Sequence, residues 1–496
     1  MIVNPLKKLA GETVIYGVPT ILGRFLYFLL IKLHTSVLTE GEYGTYTYLY
    51  SYTAFFLVLY TMGMETSYFR FATKHDEKTA YNSSFSFLLI TGILISSVLW
   101  FGSDFWALSI GDPNYSEFIK WLALILFVDA ITAIPFARLR LQNKAIKFAS
   151  AKLLSIFIQI GIQVFFLWFC EAVLEGKIFQ SWRPFISKIY NPENPLPYLF
   201  AANLIGNGIA IIVLFKTMFD VKINISKKIL KPMLIYALPI MAMGLTGMAN
   251  DNLDKILMEL RLPDNFYEGL SSKEALGVYS AAFKLSMVMG IAVQAFRFAG
   301  EPFFFSQSTE KNSPKLFATV TYFFMVFAVL IWIGISLNIQ LISDILLGDD
   351  VFKSALFIVP FLLFGKLLYG LYVNLSIWFK LSDKTYFGTL LSFAGAIVTF
   401  LGNFFFIPYF GYWASAVTLI LSYLTMVILS AILGQRHFPV PYNWFRIVLY
   451  VIGGGLTIYL TYFFDLQNGI SGILITGVIV LAIFLAERKR IAVKTD

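Results

Sequence analysis

Six cationic residues fall inside long apolar stretches of this sequence: Arg24, Lys32, Lys255, Lys284, Arg297 and Lys366. A cation at mid-depth in hydrocarbon costs about 2.5–3.5 kcal/mol on insertion scales, so it persists where water, a partner charge or an anionic ligand offsets that cost. At about 1.5 Å per helical residue, Arg24 lies about 20 Å along its stretch, Lys284 about 12 Å along, and Lys366 about 20 Å from the inner end. None of the three reaches a headgroup easily by extending its side chain. Such residues face a hydrated cavity, where Arg24, Lys284 and Lys366 are candidates for binding an anionic substrate. Lys32, Lys255 and Arg297 sit nearer an interface, where the plainer reading is a long side chain reaching headgroups.

The acids inside apolar stretches are Glu65, Asp129, Asp251 and Asp254. Asp129 is deep enough to serve as a proton or sodium site, and Glu65 is a second candidate for ion coupling, although its neighbour Arg70 also fits a charge at a helix end. A competing reading pairs Lys366 with Asp129, which lies at the corresponding depth of the other half. Asp251 and Asp254 fall about 30 Å along their stretch, near its outer mouth, and read as interfacial groups. Asn250–Asp254 resembles part of a calcium loop but lacks the glycine and the distal glutamate.

Catalytic constellations are missing. Of the three histidines only His34 lies near an apolar stretch, and neither a phosphate-cradling glycine loop nor a zinc-binding His-Glu pattern occurs. The single cysteine, Cys170, supports no intramolecular disulfide and no metal cluster. The expectation is a transporter and not an enzyme, with no catalytic residue, cofactor or metal. Pro19, Pro135 and Pro239, near the inner ends of their stretches, are candidate hinges for a gate.

The elements that must position these residues are membrane helices. With 58% hydrophobic and 14% charged residues over 496 positions and a mean hydropathy of +0.74, the chain lies far from soluble composition. Its apolar runs are about twenty residues long and do not alternate, which predicts helices and argues against a β-barrel. About fourteen spans are expected, the first of them retained despite the short basic start at Lys7 and Lys8. Twenty-five of the 38 Lys and Arg fall on the N-terminal side. Seven fall on the other: Lys120, Lys177, Arg183, Lys188, Arg261, Lys273 and Lys353. Both termini are therefore expected in the cytoplasm. The net charge of +9 is divided among short loops beside spans, which fits anionic lipid headgroups and not nucleic acid.

The chain also repeats itself. Val14–Pro19 reads VIYGVP and Leu234–Pro239 reads LIYALP; Gly44-Thr45-Tyr46 is echoed by Gly277-Val278-Tyr279, and Arg140–Lys144 by Lys380–Lys384. The order is kept and the spacing drifts only slowly. An even six spans per half predicts parallel repeats, with a bundle over 1–220, a second over 221–440, and an extra helix pair and basic tail over 441–496.

These residues resemble the Wzx-type flippases of polysaccharide or oligosaccharide lipids, within the superfamily of MurJ-like and MATE exporters. The resemblance spans essentially the whole chain. It rests on Glu42-Tyr43-Gly44, Gly63-Met64-Glu65 with Arg70, Pro135–Arg140, Asp254, Gly277–Lys284 and Asn403–Gly411. It implies an all-α membrane fold of two six-helix bundles around a cavity plus two extra helices. It also implies alternating-access transfer of an undecaprenyl-linked oligosaccharide from the inner to the outer leaflet of the cytoplasmic membrane, for surface polysaccharide synthesis. A monomeric transport unit and contact with polysaccharide polymerase machinery go with that reading. Where the family pattern continues Gly-X-X-Gly-Ala-Ala, this chain has Gly411-Tyr412-Trp413-Ala414-Ser415-Ala416, which predicts looser helix packing there. The alternatives are an ion-coupled, MATE-like exporter of small molecules and a membrane-embedded sugar polymerase or ligase using the loop Glu171–Pro197.

Overall fold

The computed structural model describes residues 17, 19–307, 313–382, 384–467 and 469–492. Lys7, Lys8, Lys311, Asp383, Lys494 and most of Val14–Pro19 lie outside them. Among the described residues the chain is all helix and turn, without strands. The long helices, in chain order, are α1 Pro19–Val37, α2 Glu40–Thr61, α3 Glu77–Phe101, α4 Ser116–Leu141, α5 Ala145–Val164, α6 Leu196–Phe219 and α7 Lys227–Arg261. They continue as α8 Ser272–Gln307, α9 Ser313–Leu337, α10 Val359–Leu375, α11 Tyr386–Phe410, α12 Tyr412–His437, α13 Trp444–Phe463 and α14 Ile470–Ala492. Thirteen of these regions are long and apolar enough to cross a membrane; α2, rich in tyrosine and threonine, falls short of that composition. The chain is a multi-pass membrane protein.

Local signals explain where the helices begin and bend. Thr39 caps α2 in a reciprocal box with Glu42, and Ser271 and Glu274 make the matching exchange at the start of α8. α2 breaks at Met62 and Gly63, both left-handed, and resumes as Met64–Ala72. By contrast, α4 and α7 run unbroken past Pro135 and past Pro232 and Pro239. The loop between α5 and α6 is not a separate domain. It continues α5 through a π-turn at Phe165–Cys170 and ends in a short helix, Arg183–Ile189, seated on Cys170, Val173 and Tyr190.

α3, α4, α5 and α6 pack on one another, α2 lies against α4, and α8 to α12 with α7 form the second set. α2 joins the two, lying along α8 and α7. At one end the crossing of α2 and α8 is glycine on glycine. A methyl group at Gly44 would lie 2.1 Å from the Lys273 carbonyl oxygen, and one at Gly277 would lie 2.0 Å from that of Glu40, so neither position admits a side chain. The expectation of loose packing after Gly411 is corrected: α11 and α12 approach closely because Gly402 faces Thr418 and Gly395 faces Ser422. The small residues that permit it sit within the helices and not at their junction. α13 and α14 rest on α9, where Glu487 accepts bonds from Tyr322 (2.6 Å) and Tyr450 (2.8 Å).

Candidate functional site

The mid-helix charges gather on the faces that α1, α7, α8, α10 and α12 turn toward one another. Lys366 of α10 donates to Asp251 Oδ1 of α7 at 2.7 Å, and the Tyr423 hydroxyl of α12 donates to the same oxygen at 2.8 Å. One turn along α7, buried Asp254 accepts from Lys255 Nζ at 3.1 Å and from the Tyr279 hydroxyl of α8 at 2.6 Å. Lys255 also donates to the Asp251 carbonyl oxygen at 2.8 Å. Both ammonium groups face the Phe283 ring, 3.7 Å from its centroid for Lys255 and 5.1 Å for Lys366, where the negative π face adds to their stabilisation.

Two expectations are corrected here. Lys366 does not pair with Asp129; its partner is Asp251. The pair is possible because α7 runs on to Arg261, so Asp251 lies about 15 Å inside the end of its helix and not at its mouth. For the same reason Lys255, read as reaching headgroups, is buried and bonded inside the protein. Asp129 is instead held by the Asn207 side-chain amide at 2.9 Å, with Lys152 within electrostatic reach, inside the first set of helices. Glu65 pairs with Arg140.

α1 packs on α5 of the first set, Gly23 against Ile156, and its Arg24 is exposed and within electrostatic reach of Tyr369 on α10, across the seam where the first set and α2 meet the second set. Lys284 is half-buried, with its ammonium 5.4 Å from the Tyr43 ring of α2 and close to His34 of α1. Among the described residues neither Arg24 nor Lys284 makes an ion pair. Arg297 donates to Glu301 at 2.8 Å, and Lys380 reaches the same carboxylate at 2.5 Å, toward the end of α8. Arg24, Lys284 and Lys366 thus all sit at the seam, whereas Asp129 is bonded within the first set and Glu65 is taken up by Arg140.

The two ends of the seam differ. Beyond the glycine crossing, Lys273 bonds Asp112 at 2.7 Å, and Thr35 accepts from the backbone N–H groups of Gly348 and Asp349. Burial works to raise the Asp112 carboxyl, but the bonds from Lys273 and Asn114 outweigh it and hold the group below the usual range. At the basic end Ser67 donates to the Met233 carbonyl at 2.9 Å and Arg70 covers the Tyr236 ring at 4.3 Å. A cavity of about 650 Å³ opens there beside Pro239, with Arg70 and Lys231 on its rim. Pro135 is buried in α4 and Pro19 at the start of the described part of α1. Arg138, beside Pro135, is tied to Glu77 (2.9 Å) and Asp220 (3.2 Å), a clasp at this end.

Nothing in the sequence alone gives Asp251, Tyr423, Tyr369 or Tyr279 a role in the site. The repeated Gly-X-Tyr motif was the signal available for Tyr279. It marks the two glycines that meet at the crossing and the tyrosine that satisfies Asp254.

Comparison with known proteins agrees with this architecture. Residues 35–181 match the family model described as polysaccharide biosynthesis protein. A solved structure of the lipid II flippase MurJ in an inward closed conformation matches with a TM-score of 0.72 at 12% identity, covering 96% of this chain and 100% of that one. An inward-facing multidrug resistance MATE transporter of the MOP superfamily matches at 0.58 and 13%, covering 88% and 98%. The Vibrio cholerae MATE transporter VcmN matches at 0.60 and 12%, covering 88% and 99%. Among curated protein sequences there is no match. This chain therefore has the fold seen in the solved MurJ and MATE transporters, and its residues 35–181 are similar to the family described as polysaccharide biosynthesis protein.

Proposed function

We propose that this protein is a flippase that moves an anionic, undecaprenyl-linked oligosaccharide from the inner to the outer leaflet of the cytoplasmic membrane by alternating access. The observation that carries the reading is the placement of Arg24 and Lys284 at the seam, on opposite sets of helices, without a carboxylate partner among the described residues. A lipid diphosphate loses water when its head enters such a site, and the guanidinium and ammonium groups replace that water. The sugar occupies the seam while the lipid tail stays in the bilayer. The fold shared with MurJ and the family match over 35–181 support this reading over that of a polymerase or ligase.

In this reading the chain is one transport unit with both termini cytoplasmic. It comprises parallel bundles over 1–220 and 221–440 and a further helix pair over 441–496. Pro19 and Pro239 lie where the basic end must open, and Pro135 lies behind the Arg138 clasp. Asp129 is the position for ion coupling, since Glu65 is occupied by Arg140. Product is handed to polymerase machinery on the far side. The MATE matches favour a second reading, an ion-coupled exporter of small molecules. Purified protein in liposomes distinguishes them. Translocation of a lipid-linked oligosaccharide without chain growth is the expected result. Polymer formation, or drug transport in its place, would overturn it.

A further inference from the structure

The two acid–lysine pairs on α7 are built differently. Asp254 is buried and both of its oxygens are committed to protein donors, Lys255 and Tyr279. Asp251 commits only Oδ1; no hydrogen bond reaches Oδ2 among the described residues, and its side chain is 45% exposed. Lys366 lies behind it, its side chain 9% exposed, with no other acidic partner among the described residues. An anion entering the seam therefore meets the Asp251 carboxylate before it can meet the ammonium.

We propose that Asp251 is the resident anion of the transport site: it occupies Lys366 when no substrate is bound and yields that place to a substrate phosphate. The inference rests on the flippase reading and adds a mechanism of exchange. A lysine left unpaired in a membrane interior is costly, so a site that must be empty for half of its cycle needs an internal counter-ion. Exchange supplies one. The cation is paired in both states, and the Phe283 and Tyr423 rings, 5.1 and 5.7 Å away, hold it in place while the partner changes. The same competition limits affinity. A diphosphate must displace a carboxylate to bind, and the returning carboxylate helps to expel it on the far side.

The test measures binding of farnesyl diphosphate, a water-soluble isoprenoid diphosphate, to the full chain in lipid nanodiscs. Asp251→Asn should bind at least about 10-fold tighter than wild type, because Lys366 is then free for a charge-assisted bond. Asp251→Ser is a second neutral variant with the same expectation, in case the asparagine form folds poorly. Lys366→Gln should bind about 10-fold more weakly, and adding Asp251→Asn to it should recover less than about 2-fold. Binding that is unchanged or weaker in both neutral variants would overturn the exchange. So would an equal gain in the Lys366→Gln background, which would show only a less negative seam. If no form, wild type included, binds farnesyl diphosphate saturably, the flippase reading itself fails, an outcome distinct from the other two.

Discussion

Asp129 on α4 and Lys366 on α10 stand on corresponding helices of the proposed repeat, yet their surroundings are opposite in kind. Around Asp129 the hydrogen-bonding groups are neutral and Lys152 acts only at longer range: Asn207 donates to it, Tyr27 and Tyr50 lie nearby, and these tyrosines engage Gln159 and Asn203. Around Lys366 the partners carry formal charge or a π face. An amide satisfies a carboxylate by geometry alone, whereas a buried lysine requires an anion. At these two positions, then, one set of helices answers a buried charge with a neutral hydrogen bond and the other with a directly bonded ion pair.

The halves meet at Gly44 and Gly277, and the largest structural effect should come from there. A methyl group at either position meets backbone oxygen that cannot move aside, so Gly44→Ala and Gly277→Ala must spread α2 from α8. Each should destabilise the protein by about 1–3 kcal/mol, read as a lower melting temperature, and by similar amounts because the contact is reciprocal. A large loss at only one glycine would break the symmetry of the crossing. Next, Tyr279→Phe leaves buried Asp254 with one donor fewer and should cost about 1–3 kcal/mol. Its counterpart Tyr46→Phe, whose hydroxyl is near the neutral Asn203, should cost less. Equal losses in chemical unfolding would contradict the charge difference between the halves.

Smaller effects sharpen the same contrast. The Asp112 carboxyl is held below its usual range, so the stability it contributes is present above the unfolded value of about 4 and lost as the pH falls through the lower folded value. Melting curves should show Asp112→Asn less stable than wild type at neutral pH, with the gap closing in acid. Asp129→Asn should change stability by less than about 1 kcal/mol, since a carbonyl oxygen still accepts from Asn207. A large loss would mean that the carboxylate compensates Lys152 and that the first half also depends on charge.

Much of this architecture was legible in the sequence, because hydropathy reports directly on membrane helices. The unusual cost of deep cations picked out Arg24, Lys284 and Lys366, all of which lie at the seam. Their partners were not legible. Lys366 and Asp251 are 115 residues apart on different helices, and depth counted along α7 misplaced Asp251 because the helix outlasts its most apolar stretch. Lys255 was misread for the same reason. The Gly-X-Tyr repeat was visible twice, but nothing in one dimension says that its two glycines touch. The break in α2 at Met62 and Gly63 carried the opposite lesson: the prolines drew attention as bending points, while the left-handed turn lies at a glycine with no proline beside it.

In the flippase reading, cations at the seam recognise the phosphate of a lipid-linked sugar. That recognition is tested most directly by comparing two substrates in liposomes, an oligosaccharide joined to its polyprenyl chain by diphosphate and the same oligosaccharide joined by an uncharged ether. Wild-type protein should move the diphosphate at least about 10-fold faster, and Arg24→Ala, Lys284→Ala and Lys366→Gln combined should bring the two rates together while the protein still inserts and folds. Equal rates for both substrates in the wild type, or a preference that survives loss of all three cations, would contradict this reading.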